Sequence, residues 1–238
     1  MTGKPLLLFV FGTGILLVIA AGLKSHDGNK NDSATSHAAN SIVTDIDGNA
    51  YHTVKIGNQV WMVENLKTTR YRDGSRIANI VADHSWSVST SGAYCWYEND
   101  TSFRQGVYGA LYNYYAVADR RNLCPEGWHV PSKSEWLALE AYLGGRAMAG
   151  GKMKETGSAH WHAPNIAASN ECGFSGIPGG GRAQLGWFGE IGEYATWWSS
   201  SAEDSDYAWH WGVSRVSIAA KANPGHKASG FSVRCLRD

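Results

Sequence analysis

The sequence predicts an α+β domain that is mostly strand and coil, with one main helix near residues 132–143. Three observations carry this. The chain of 238 residues holds 28 Gly, 11 Trp and 11 Tyr, a composition of turns and large rings that suits short strands rather than a helical bundle. Polar and apolar residues alternate with a period of two where the folded part begins. Ser132 with Glu135 forms a capping box, the best-signalled helix start in the chain. Lys+Arg and Asp+Glu both number 21, so the net charge is zero. That argues against nucleic acid, whose binders carry a basic excess to neutralise phosphates.

Pro5 to Gly22 run without a charge, at the short end for a membrane span and slightly long for a signal-peptide core. Ala20-Ala21-Gly22 offers small residues for a signal peptidase. Residues 1–23 are therefore expected to be a signal peptide or membrane anchor, and any membrane contact is expected only through them. The rest should be exported, whether periplasmic, on the cell surface or secreted. Residues 24–43 have the small, polar composition of a linker. Every Trp follows it, so 44–238 is expected to be one domain.

Within that domain, TDIDGNAYHTVKIGNQVWMVENL reads as a β-meander, with His52, Val54 and Ile56 on one face and Thr53 and Lys55 on the other. Asp47-Gly48 and Gly57-Asn58 are its turns. Asp45, Asp47 and Asn49 imitate the start of a calcium loop but lack its closing Glu. Residues 66–107 read as irregular, and 108–118 as a strand or a short helix. The helix after Ser132 buries a stripe of Trp136, Leu139, Tyr142 and Leu143 and stops at Gly144-Gly145. From 150 onward, short strands alternate with Gly-rich loops. One strand sets Tyr207, Trp209, Trp211 and Val213 on an apolar face and Ala208, His210, Gly212 and Ser214 on the other. In the last strand Phe231, Val233 and Cys235 share a face.

Four cysteines in an exported chain favour disulfides, with three connectivities open. Linking Cys124 to Cys235 would close the long loop worth roughly 4–5 kcal/mol in the chain-entropy model. His160 and His162 could share a strand face and hold a metal, but no third ligand is in sight. Gly179-Gly180-Gly181-Arg182 lacks the lysine of a phosphate loop and reads as a close backbone crossing. Ser199-Ser200-Ser201 lacks a nucleophile elbow. Glu203, Asp204 and Asp206 form an acidic loop that could ligate calcium but reads first as a solvated loop, and no cofactor is expected. Trp136, Trp209 and Trp211 read as core. Trp187, in LGWFGE, and Trp86, among Ser and Thr, read as exposed, and with Tyr207 and His210 they make the candidate ligand-binding set.

Seven stretches together resemble a known family, the Fibrobacter succinogenes major paralogous domain: TDIDGNAYHTVKIGNQVWMVENLKTTRYRDGSRI, YGALYNYYAV, LCPEGWHVPSKSEWLALEAYLGG, AGGKMKETGSAHW, NECGFSGIPGGGR, TWWSSS and SGFSVRCLRD. The resemblance implies an exported bacterial protein with a fold like that of C-type lectins and formylglycine-generating enzymes. The reactive cysteine pair with which those enzymes handle copper and oxygen does not carry over, since Cys235 sits in the closing strand and no second cysteine matches. An oxidoreductase of that kind is therefore not expected, and no catalytic residue is assigned. Where the family implies a small polar residue, this chain has Cys172. The resemblance thus implies Cys95–Cys172 beside Cys124–Cys235. The resulting expectation is a non-catalytic, lectin-like binding module that displays loops near 184–193, 199–207 and 219–228 to a polysaccharide or surface ligand. The alternative is a protein-interaction or diversity-displaying surface protein.

Overall fold

The computed structural model describes residues 41–100, 102 and 106–238. The expected leader at 1–23 and most of the linker at 24–43 lie outside these residues. Among the described residues no helix is long and apolar enough to cross a membrane.

The meander forms as its turns dictate. Strands β1 (Ile42–Thr44), β2 (Ala50–Ile56) and β3 (Gln59–Met62) pair antiparallel. Gly48 and Gly57, at φ 85° and 61°, supply the left-handed turn positions. The chain's C-terminal strand β14 (Leu236–Arg237) and β7 (Trp128–His129) extend the sheet in the order β1-β2-β3-β14-β7. The faces expected of β2 need correcting: Thr53 is buried and His52 is exposed. The cause is that β2 serves two cores, with Tyr51 in one and Ile56 in the other. Its buried side changes along the strand.

The irregular stretch holds β4 (Ala78–Asn79), α1 (Asp83–Ser87), β5 (Ala93–Cys95) and a 3₁₀ turn at Tyr97–Asn99. Residues 108–118 hold both expected alternatives, because β6 (Leu111–Asn113) runs directly into α2 (Tyr114–Val117). Asn113 makes the switch: its Oδ1 accepts the helix-capping N–H of Ala116 at 3.0 Å and the N–H of Ala93 at 2.9 Å. These strands join β13 (Gly230–Phe231), β8 (Gly179–Arg182) and β9 (Phe188–Ile191) in the order β4-β5-β6-β13-β8-β9.

Helix α3 (Lys133–Tyr142) starts at the Ser132 capping box. Trp136, Leu139 and Leu143 are buried, but Tyr142 is 65% exposed. Six residues beyond Trp136 a helix has turned about 240° off the stripe, so Tyr142 could not join it. A second helix, α4 (Arg146–Met153), follows at once. Its Gly150-Gly151 pair weakens helix propensity and hid it from the sequence. Close packing requires both glycines: a Cβ on Gly150 would stand 2.5 Å from the Ala219 carbonyl oxygen, and one on Gly151 2.6 Å from that of Ala167.

The third sheet is the antiparallel run β10 (Tyr194–Ala202), β11 (Tyr207–Ser214) and β12 (Lys221–His226). One face lies on a core of Trp61, Trp136, Trp197 and Trp211. The Trp136 and Trp211 rings stack at 5.7 Å and 8°. Cys124 and Cys235 are disulfide-bonded inside the neighbouring core. The expected Cys95–Cys172 bond is absent, and both are free thiols. Cys95 is buried with Trp86, Tyr97 and Leu111, whereas Cys172 packs half-buried against the tryptophan-rich core, so the two sulfurs belong to different clusters.

Candidate functional site

Period-two geometry gives the β10-β11-β12 sheet a second face. Cross-strand register sets Thr196 beside Gly212 and Lys221, and Trp198 beside His210 and Asn223. Trp198 and Ala208 are fully buried in the neighbouring core and close one end of this face. The rest opens into a cleft of about 220 Å³ lined by Glu190, Thr196, His210, Gly212, Lys221 and Asn223. A second cleft, of about 200 Å³, is lined by Arg182, Trp187, Glu190, Ser229 and Phe231. Glu190 belongs to both.

Each wall has a local cause. Trp187 stands on the β8–β9 hairpin, 62% exposed. The hairpin turns at Gly186, at φ 104°, against Asp83, where a Cβ would come within 2.5 Å of the Asp83 side chain. Glu190 follows on β9 at φ 68°, a left-handed backbone that non-glycine residues seldom adopt. Neighbouring atoms desolvate its carboxyl and raise its pKa. His210 lies between the rings of Trp198, at 6.2 Å, and Phe231, at 4.8 Å. Burial pushes its pKa down to about 4, and its Nδ1 is buried with no hydrogen-bond partner among the described residues.

Of the four candidate ligand-binding residues, the structure brings two to these clefts, Trp187 and His210. Tyr207 is 42% exposed but lies at the far end of β11, its ring 5.7 Å from that of His226. Trp86 is corrected outright: it is 1% exposed, with the Arg182 guanidinium 4.5 Å above its ring. Arg182 is itself held there, donating to the carbonyls of Ile80, Val81 and Gly186 and to the Asp83 carboxylate. Glu190, Thr196 and Asn223 were missed by sequence reasoning. The alternation in TWW places Thr196 on the face opposite the core indole of Trp197 and was the available signal; the left-handed backbone of Glu190 had none. The free face expected of β11 is also narrower, since Ala208 and Ser214 are buried.

The other candidate groups are occupied. Asp204 Oδ1 accepts the backbone N–H groups of Asp206 and Tyr207, each at 2.8 Å. Glu203 accepts the indole N–H of Trp209, and Asp206 the hydroxyl of Ser205 at 3.1 Å. The acidic loop thus closes on itself. Asp45 and Asp47 likewise accept backbone N–H groups of their own and neighbouring turns. His160 and His162 pair with separate carboxylates, Glu155 at 2.8 Å and Glu193 at 3.1 Å. Among the described residues no group of three or more His, Cys, Asp or Glu could hold a metal ion. Gly180 lies where a Cβ would stand 2.4 Å from the Gly189 carbonyl oxygen, the close crossing expected. Ser201 Oγ accepts the N–H of Lys133 at 3.0 Å, adding a cap to α3.

A larger cleft, of about 530 Å³, lies between Lys55, Tyr142, Lys152, Glu171 and Cys172. Most of its polar groups are paired: Lys152 pairs with Glu171 at 2.7 Å, and the Cys172 thiol donates to the Lys152 carbonyl at 3.1 Å. Burial raises the pKa of that thiol. The sheet face differs in leaving a buried polar atom, His210 Nδ1, unpartnered among the described residues, and a partner for such an atom is what a ligand supplies.

A model of the family described as Fibrobacter succinogenes major domain matches residues 54–237. No curated protein matches the chain, and no solved structure does.

Proposed function

This chain belongs to the Fibrobacter succinogenes major domain family, and from that premise we propose that it is an exported, non-catalytic binding module of lectin-like fold. Its ligand is a polysaccharide lying across the two clefts that meet at Glu190, one over the outer face of β10-β11-β12 and one at the β8–β9 hairpin. The observation that carries this reading is Trp187, 62% exposed at the wall of a cleft it shares with Glu190. A sugar ring offers an apolar C–H face for the indole and hydroxyls for the polar groups beneath it, and such clefts combine aromatic area with a few polar groups. Export is supported by the charge-free stretch from Pro5 to Gly22 and by the Cys124–Cys235 disulfide, which needs an oxidising compartment. The non-catalytic reading is supported by burial, which pushes the His210 imidazole down to about 4 and the Cys172 thiol up, both away from the range useful to a base or nucleophile near neutral pH.

Retention of the full chain on a panel of soluble and insoluble polysaccharides tests this. Trp187→Ala is expected to cut retention at least tenfold, while Tyr207→Ala leaves it unchanged. Equal retention by Trp187→Ala would remove the site assignment. A second reading, a protein partner, is favoured by Leu185, which is 65% exposed on the same hairpin. It gains if no polysaccharide retains the chain.

A further inference from the structure

The clefts contain one carboxylate, and it has no counter-charge. Glu190 lines both, yet among the described residues no ion pair reaches it. The cations nearby do not serve it. Arg182 is committed to Asp83 at 2.8 Å, and Lys221 lines the first cleft without pairing. The remaining titratable neighbours are Tyr194, which lines the first cleft, the desolvated His210 imidazole, and Tyr97, whose phenol pKa is raised by burial first and by the Glu98 and Glu190 charges after it. The backbone under Glu190 is held left-handed at φ 68°. Such conformations cost roughly 1–3 kcal/mol and concentrate at functional positions. Trp187 stands on the same hairpin, its ring 3.6 Å from where a Gly189 Cβ would lie. The indole and the carboxylate thus wall a single cleft.

We infer that Glu190 receives a protonated amine and that the polysaccharide is one whose sugars carry free amino groups. This rests on the polysaccharide reading above and names its ligand chemistry. An ammonium would supply the missing counter-charge through a charge-assisted hydrogen bond. The same cation gains from the face of an exposed indole. The uplifted carboxyl pKa is what an underpaired carboxylate in this setting has, and an ammonium would lower it.

Titration calorimetry on the full chain decides it, with three oligosaccharides of equal length: deacetylated glucosamine, N-acetylglucosamine and glucose. The amine form is expected to bind at least tenfold more tightly than either neutral form. Glu190→Gln, which keeps the size of the side chain, should abolish that preference without lowering the thermal midpoint by more than a few degrees. Trp187→Ala should weaken all three ligands. Equal binding of the three sugars, or an unchanged preference in Glu190→Gln, overturns the amine inference and leaves the polysaccharide reading standing. Binding of none overturns both. Binding of a lysine-rich peptide alone also overturns both, in favour of a protein partner.

Discussion

The two faces of the β10-β11-β12 sheet are built from the same strands and do opposite things. On the inner face Trp197 donates its indole N–H to Asn65 Oδ1 at 2.8 Å and Trp211 donates to Glu140 Oε1 at 2.9 Å. Both rings are buried in one cluster with Trp61 and Trp136. On the outer face His210 has no Nδ1 partner, and Glu190, reaching the same cleft from β9, has no ion pair among the described residues. The difference teaches how to read the tryptophans. Of 11 in the chain, Trp187 alone is exposed. An abundance of Trp here reflects a core that needs large rings with polar tips, and recognition falls to the exception.

Truncating the inner face should cost the most. Trp136 is fully buried, within 4.8 Å of the Trp61 ring and 5.7 Å of the Trp211 ring. Trp136→Ala is expected to destabilise by about 3–5 kcal/mol, the range for a buried aromatic that leaves a cavity. Trp187→Ala, on an exposed hairpin, should stay within about 0.5 kcal/mol. Denaturant midpoints of the two variants make the test. Comparable losses would mean that the outer hairpin is also structural, and the contrast between the faces would collapse.

Much of the fold was legible in the sequence because its signals are local. The turns at Gly48 and Gly57, the capping box at Ser132 and the strand at 207–214 each follow from neighbouring residues. What was not legible depends on packing between distant segments. Gly150 and Gly151 look like helix breakers until the Ala219 and Ala167 carbonyls are set against them. Trp86 looks exposed among Ser and Thr until Arg182, far along the chain, lies over it. The candidate site divides in the same way. Trp187 and His210 could be named from residue type and strand parity, whereas Glu190 became visible only through its backbone and its two clefts.

Acid should act first on the outer face. An ordinary histidine titrates near 6.5, but burial holds His210 at about 4. Between those values the unfolded chain binds a proton that the folded chain refuses. The contribution of His210 is therefore present in full above about pH 6.5 and is lost as pH falls toward 4. Stability measured across that window should drop on acidification, and His210→Gln should flatten the drop. An imidazole that titrates at its ordinary value by NMR would show that solvent reaches the ring, and the outer face would then be more open than the structure has it.

On β7 of the first sheet stands a histidine of opposite sign, coupled to the inner face through α3, and its effect should be the smallest of the three. His129 Nδ1 stands 2.6 Å from Asp238 Oδ1 and its Nε2 stands 2.9 Å from Glu135 Oε1. Burial alone would lower its pKa, but the two carboxylates outweigh burial and the net shift is upward. Only the imidazolium has two N–H donors for two carboxylates. Glu135 is also the capping-box residue of α3, accepting the Ser132 N–H at 2.7 Å. Through that helix the pair bears on Trp136 and on Glu140, which press against the inner face. The stabilisation is present in full below the unfolded pKa of about 6.5 and is lost as pH rises through the elevated folded value. All three side chains are about a third or more exposed, so water and salt screen most of it. Thermal midpoints should therefore decline slightly as pH rises above about 6.5, and His129→Gln should remove the decline. The sign matters more than the size: two histidines on different sheets would pull stability in opposite directions with pH, the paired one beside the capping box of α3 and the unpaired one on the face left open.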